Sequence, residues 1–142
     1  MTNSPVFLGN ETILLVEDEE LVREFLADAL TTHGYTVIMA EDGQDAVNKY
    51  KESLGPVDIV LMDVMMPRKD GVSAHKEISE FDPNSKIILM SGYTSESLGC
   101  IENINFIQKP MLPSIMFKQI REALDLNTET LLVPTILDVA AS

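Results

Sequence analysis

The sequence predicts an α/β protein, a parallel sheet of five strands alternating with five helices. Three observations predict it. Short, continuous apolar runs recur five times, as buried parallel strands require. Apolar residues at helical spacing follow each run. Glycine, proline and acidic cap residues mark the joints between them.

The elements follow in order. Thr12-Ile-Leu-Leu-Val16 is the first strand and runs into Glu17 and Asp18. Leu21, Val22, Phe25, Leu26, Ala29 and Leu30 then mark a helix, with Gly34 as its C-terminal stop. Tyr35 to Ala40 reads as the second strand, and Asp42 as the cap of a helix carrying Ala46, Val47 and Tyr50. Gly55-Pro56 breaks the chain before the third strand, Val57 to Met62, which leads into Asp63. Pro67 and Gly71 shape the next loop, and Asp70 caps a helix with Val72, His75 and Ile78 on one face. Lys86 to Met90 is the fourth strand, ending at Ser91-Gly92. A weak helix, residues 94–103, holds Gly99. Ile104 to Gln108 is the fifth strand, ending at Lys109-Pro110. Pro113 opens the last helix, whose buried stripe is Ile115, Met116, Ile120, Ala123 and Leu124. Three parts are expected: a loose lead over 1–11, the domain over 12–126, and a tail or linker remnant over 127–142.

Composition narrows the function. Hydrophobic residues make up 45% of the 142, enough for one packed core. The formal net charge of -13 argues against direct nucleic-acid or anionic-membrane binding, and leaves cations or a partner with a basic face. The single cysteine, Cys100, excludes an internal disulfide and fits a reducing cytoplasm. The N-terminus has no signal-peptide pattern. No stretch approaches the roughly 18 apolar residues of a membrane span. A cytoplasmic protein is expected.

The reactive side chains sit where strands end: Glu17 and Asp18, Asp63, Ser91 and Lys109. Open parallel sheets bind ligands outside the carboxyl ends of their strands, so these residues can converge. Like charges at about 4 Å repel by roughly 4 kcal/mol at an effective dielectric near 20, so three clustered carboxylates call for a cation. Oxygen ligands alone suit Mg²⁺. Lys109 adds positive charge and Ser91 a hydroxyl donor, a set suited to phosphoryl transfer. A carboxylate can itself be the nucleophile, and Asp63, on the middle strand, is the natural acceptor.

Val16-Glu17-Asp18-Glu19, Asp63-Val-Met-Met-Pro67 with Asp70-Gly71, Met90-Ser91-Gly92 and Phe106-Ile-Gln-Lys109-Pro110 resemble the receiver domains of two-component response regulators and hybrid sensor histidine kinases. The resemblance covers roughly Glu11 to Leu126. It implies a flavodoxin-like (βα)5 doubly wound sandwich with strand order 2-1-3-4-5. It implies that Asp63 is phosphorylated by a histidine kinase or phosphotransfer protein. It implies a Mg²⁺ site of Asp18 and Asp63, with Glu17 acting through water and Met65 through its backbone carbonyl. Ser91 and Phe106 become switch residues, Lys109 the phosphate-binding lysine, and the bond into Pro110 a cis peptide, a form found in only about 5–6% of such bonds. The face of the fourth helix (94–103), fifth strand and fifth helix becomes a candidate homodimer or partner surface. No enzymatic activity is implied beyond self-catalysed transfer to Asp63 and autodephosphorylation.

The sequence departs from the family in places. Met111 stands where Phe is common, Phe106 lacks a tyrosine hydroxyl, and Tyr93 is bulky beside the site. Met65 and Tyr93 are expected to influence dephosphorylation. The Met-Ser-Gly-Tyr run is most similar to receivers attached to hybrid kinases.

Plainer roles fit other residues. His33 caps a helix end, His75 packs on a helix face, and Cys100 is an incidental thiol. Two other functions compete. A Mg²⁺-dependent small-molecule phosphohydrolase would share Asp63 and Lys109, but it needs a second acid where Met65 stands. A flavin carrier would need a Ser, Thr and Gly-rich first loop, and that loop is Glu-Asp-Glu-Glu.

Overall fold

The computed structural model describes residues 8–53, 56–91, 105–109 and 113–125; the side chains of Asn105, Phe106 and Gln108 lie outside that description. Its strands are β1 (Thr12–Val16), β2 (Thr36–Ala40), β3 (Ile59–Asp63), β4 (Ile87–Ser91) and the short β5 (Asn105–Gln108). Its helices are α1 (Glu20–Thr32), α2 (Gly43–Glu52), α3 (Gly71–Phe81) and α4 (Pro113–Asp125). The strands are parallel, in the order β2-β1-β3-β4, with β5 recorded beside β4. The weak helix expected over 94–103, and with it Tyr93 and Cys100, lies outside the described residues.

The continuous apolar strands β1, β3 and β4 are buried on both faces, while β2, at the sheet edge, stays partly exposed; the alternation of their side chains divides the core. Ile13, Leu15, Ile59, Leu61, Ile88 and Met90 pack with α1 and α4. Leu14, Val16, Val60, Met62 and Leu89 pack with α2 and α3. Helices therefore cover both sides of the sheet, as right-handed crossovers dictate.

The caps follow the sequence. Asp42 accepts a hydrogen bond from the Asp45 amide at 2.8 Å, and Asp70 one from the Ser73 amide at 2.8 Å. Gly34 ends α1 with a φ of 102°, in the left-handed region that glycine enters without cost. His33 closes the same end: its Nδ1 lies 3.0 Å from the Ala29 carbonyl and its ring stacks on Phe117. His75 is half-buried.

Two helix stripes need correction. Leu21 and Phe25 are 82% and 60% exposed, and α1 buries Leu26, Ala27 and Leu30 instead, with Val22 and Ala29 packed against them. Six apolar residues make two neighbouring columns on α1, and the sheet covers only one. Ile115 is likewise exposed, while Phe117 takes a core place on α4.

Candidate functional site

Glu17, Asp63, Ser91 and Lys109 stand at the carboxyl end of the sheet because a strand delivers each of them there. Glu17 follows β1, and its amide is tied to the Ala40 carbonyl at 3.1 Å. Asp63 is the last residue of β3 and Ser91 the last of β4, one place further along than the sequence suggests. Lys109 follows β5, and its amide donates to the Ser91 carbonyl at 2.7 Å.

The side chains of Glu17, Asp18, Asp63 and Lys109 come together. Carboxylate oxygens of Glu17, Asp18 and Asp63 all lie within 4.8 Å of one another. The Lys109 ammonium lies 3.0 Å from Glu17 Oε1 and 3.2 Å from Asp63 Oδ2. Glu17 Oε2 accepts from the Glu19 amide at 3.2 Å. Glu17, Asp63 and Ser91 are buried, whereas Asp18 is exposed and leaves the cluster open to solvent.

The direct pairing of Glu17 with Lys109 was not legible in sequence, since 92 residues separate them. It has an electrostatic consequence. Burial pushes the Asp63 carboxyl above the usual carboxylate range, against the pull of Lys109. Burial raises Glu17 too, although Lys109 donates to it and Asp63 repels it further. Burial lowers the Lys109 ammonium, but the two carboxylates outweigh that and hold it charged. One lysine, paired with Glu17 and Asp63, stands against three clustered acids, so the site carries surplus negative charge. Hard oxygen donors with that surplus fit a divalent cation such as Mg²⁺.

Other expected site residues are placed less fully. Met65 lies in the loop after β3 and is 58% exposed. Phe106 belongs to β5 by its backbone only. Pro110 and Met111 lie outside the described residues.

A family model, the response regulator receiver domain, matches residues 13–121. The chain belongs to the receiver-domain family of two-component systems. Receiver domains are well represented among its relatives. It is 44% identical over 108 residues to a chemotaxis protein CheY of Thermotoga maritima, covering 72% of this chain and 88% of that one. It is 36% identical over 121 residues to the sensor kinase CckA of Brucella abortus, covering 82% of this chain but 13% of the kinase. Among solved structures, CheY in the CheX–CheY–BeF3–Mg²⁺ complex of Borrelia burgdorferi matches with a TM-score of 0.75 at 30% identity, covering 82% of this chain and 90% of that one. The receiver domain of a hybrid histidine kinase CckA matches at 0.70 and 30% identity, covering 80% and 99%. This receiver domain therefore has the flavodoxin-like α/β fold and is a signalling module with a phosphoacceptor role. The phosphohydrolase reading is not favoured, since Met65 stands where a second acid is needed. No helix among the described residues is long and apolar enough to cross a membrane.

Proposed function

We propose that Asp63 is the phosphoacceptor of this receiver domain. The observation that carries this reading is the convergence of three acids and Lys109 at the carboxyl edge of the sheet. Asp18 and Asp63 would hold Mg²⁺, with Glu17 nearby and the Met65 carbonyl completing the set. Bound there, the ion would neutralise the carboxylates and the incoming phosphoryl oxygens.

The chain's own residues supply the rest. A carboxylate oxygen of Asp63 forms the bond to phosphorus as the phosphorus–nitrogen bond of a donor phosphohistidine breaks. The electron pair leaves with the donor imidazole. The Lys109 ammonium, already 3.2 Å from Asp63, stabilises charge on the transferring group. Glu17 holds that ammonium in place through its 3.0 Å contact. The phosphoryl group brings a charge of about -1.5 to -2, which draws the Ser91 hydroxyl toward it. Phe106 then repacks and alters the face of residues 94–103, β5 and α4. A histidine kinase or phosphotransfer protein is the donor, and a protein partner or second copy reads the altered face. We read the domain as residues 12–126, completing a (βα)5 sandwich of order 2-1-3-4-5 with a cis bond into Pro110. We place it in the cytoplasm, which its single cysteine fits.

Beryllofluoride, a phosphoryl mimic, tests the site. With Mg²⁺ present, titration calorimetry should show saturable binding to the wild type and none to Asp63→Asn. Equal binding by both would place the acceptor elsewhere.

A further inference from the structure

The loop after β3 contains the one non-glycine residue with a left-handed backbone among the described residues, Arg68, at a φ of 64°. A residue with a Cβ adopts that conformation at a cost, so something must hold it. The structure shows what does. Arg68 Nε and Nη2 lie 2.6 and 2.5 Å from Asp42 Oδ2. The Asp42 side chain is only 4% exposed, while that of Arg68 is 60% exposed. Asp42 therefore divides its oxygens. Oδ1 caps α2 through the Asp45 amide, and Oδ2 takes the guanidinium.

Two further contacts bind the same stretch of loop to the helices beside it. The Gly43 amide donates to the Lys69 carbonyl at 2.9 Å, and Lys69 pairs with Glu77 of α3. The two ends of the loop are closed by main chain: Val64 N to Met90 O at 2.9 Å, and Gly71 N to Val64 O at 2.8 Å. Between those ends the loop carries Met65, one residue past Val64 and two past Asp63. Its path is set by its ends, by Met66 packed against the core, and by the contacts at Arg68 and Lys69.

We infer that Arg68, acting through Asp42, is a positioning residue: it ties the loop carrying Met65 to the N-terminus of α2 and so sets the geometry in which the acidic cluster takes up Mg²⁺. The inference rests on the reading of the site proposed above. It goes further in assigning a role to two residues that lie outside that cluster.

Three variants test it. Arg68→Gly removes the ion pair but keeps a residue that adopts a positive φ freely. Asp42→Asn keeps an acceptor for the Asp45 amide but loses the charge. Arg68→Lys retains a cation. Mg²⁺ affinity is read from amide shifts in a metal titration, with no phosphodonor present. The plateau of acetyl-phosphate labelling is read separately at saturating Mg²⁺, and thermal midpoints are recorded alongside. Arg68→Gly and Asp42→Asn should each weaken Mg²⁺ binding by about tenfold, the low end for residues that support metal ligands from behind. The labelling plateau should stay near that of wild type. Arg68→Lys should recover part of the affinity, and the double variant should be no worse than Arg68→Gly, which already removes the contact with Asp42 together with the 3.8 Å approach to Glu41. Mg²⁺ affinity within about twofold of wild type in both single variants, whatever their thermal midpoints, would reduce the pair to a structural contact and overturn the inference. Losses that add in the double variant would overturn it too. A wild type that takes up neither Mg²⁺ nor phosphoryl would instead sink the reading of the site itself, and this inference with it.

Discussion

Lys109 divides one ammonium between two buried carboxylates, and this sets what single substitutions at the site should do. Lys109→Ala leaves Glu17 and Asp63 buried and facing one another without their cation. Without metal it should cost about 2–3 kcal/mol, somewhat less than breaking a fully buried pair because Lys109 is partly exposed. Asp63→Asn should act in the opposite sense. It removes one of three clustered acids, so the metal-free protein should unfold at equal or higher urea than wild type. Urea unfolding of both variants without Mg²⁺ checks this; a clear loss of stability in Asp63→Asn would contradict the surplus of negative charge. The residues of the cluster were legible in sequence because each follows an apolar strand. Their pairing was not, because Glu17 and Lys109 meet only when the sheet assembles. Arg68 gave no signal for the same reason: its partner Asp42 lies 26 residues away and reads as an ordinary helix cap.

At the scale of elements, the β3–α3 connection is packed against the backbone of Asp63 and Val64. A Cβ added to Gly71 would sit 2.3 Å from the Asp63 carbonyl oxygen and 2.9 Å from the Val64 Cα. Neither atom belongs to a side chain that can swing away. Gly71→Ala should therefore shift the end of β3 at Asp63, costing about 2 kcal/mol or more and slowing acetyl-phosphate labelling. Thermal unfolding and acetyl-phosphate labelling measure the two effects, and a variant with wild-type values for both would show that the loop yields freely. The strands and the two aspartate caps could be read from sequence, since a buried parallel strand is a continuous apolar run and a cap has its own chemistry. The buried side of α1 could not. Leu21 and Phe25 belong to the same apolar pattern as Leu26 and Leu30, and only the placement of the sheet decides which column it covers.

Across the whole molecule, the start of the described chain is fastened to its last helix. Arg121 of α4 meets Glu11 at 2.7 Å and Asp125 at 2.7 Å, and donates to the Leu8 carbonyl at 3.1 Å. The Arg121 hydrogen bond holds the Glu11 carboxyl down, from 4.5 to about 2. A lowered acid stabilises the fold when ionised. The contribution is complete above the unfolded value of 4.5 and is lost as pH falls toward 2. Glu11→Gln should thus cost about 1–2 kcal/mol near neutral pH, allowing for partial exposure of the pair. The gap from wild type should close as pH falls through that window. A gap unchanged at the acid end would mean the contact contributes through packing rather than charge.

Phosphorylation of Asp63 can be measured by incubation with acetyl phosphate and Mg²⁺, followed by intact-mass measurement and mapping of the modified peptide. Wild type should carry one phosphoryl group, located at Asp63, dependent on Mg²⁺ and absent from Asp63→Asn. A phosphoryl group on another residue of the wild type, or one that persists in Asp63→Asn, would contradict Asp63 as the phosphoacceptor.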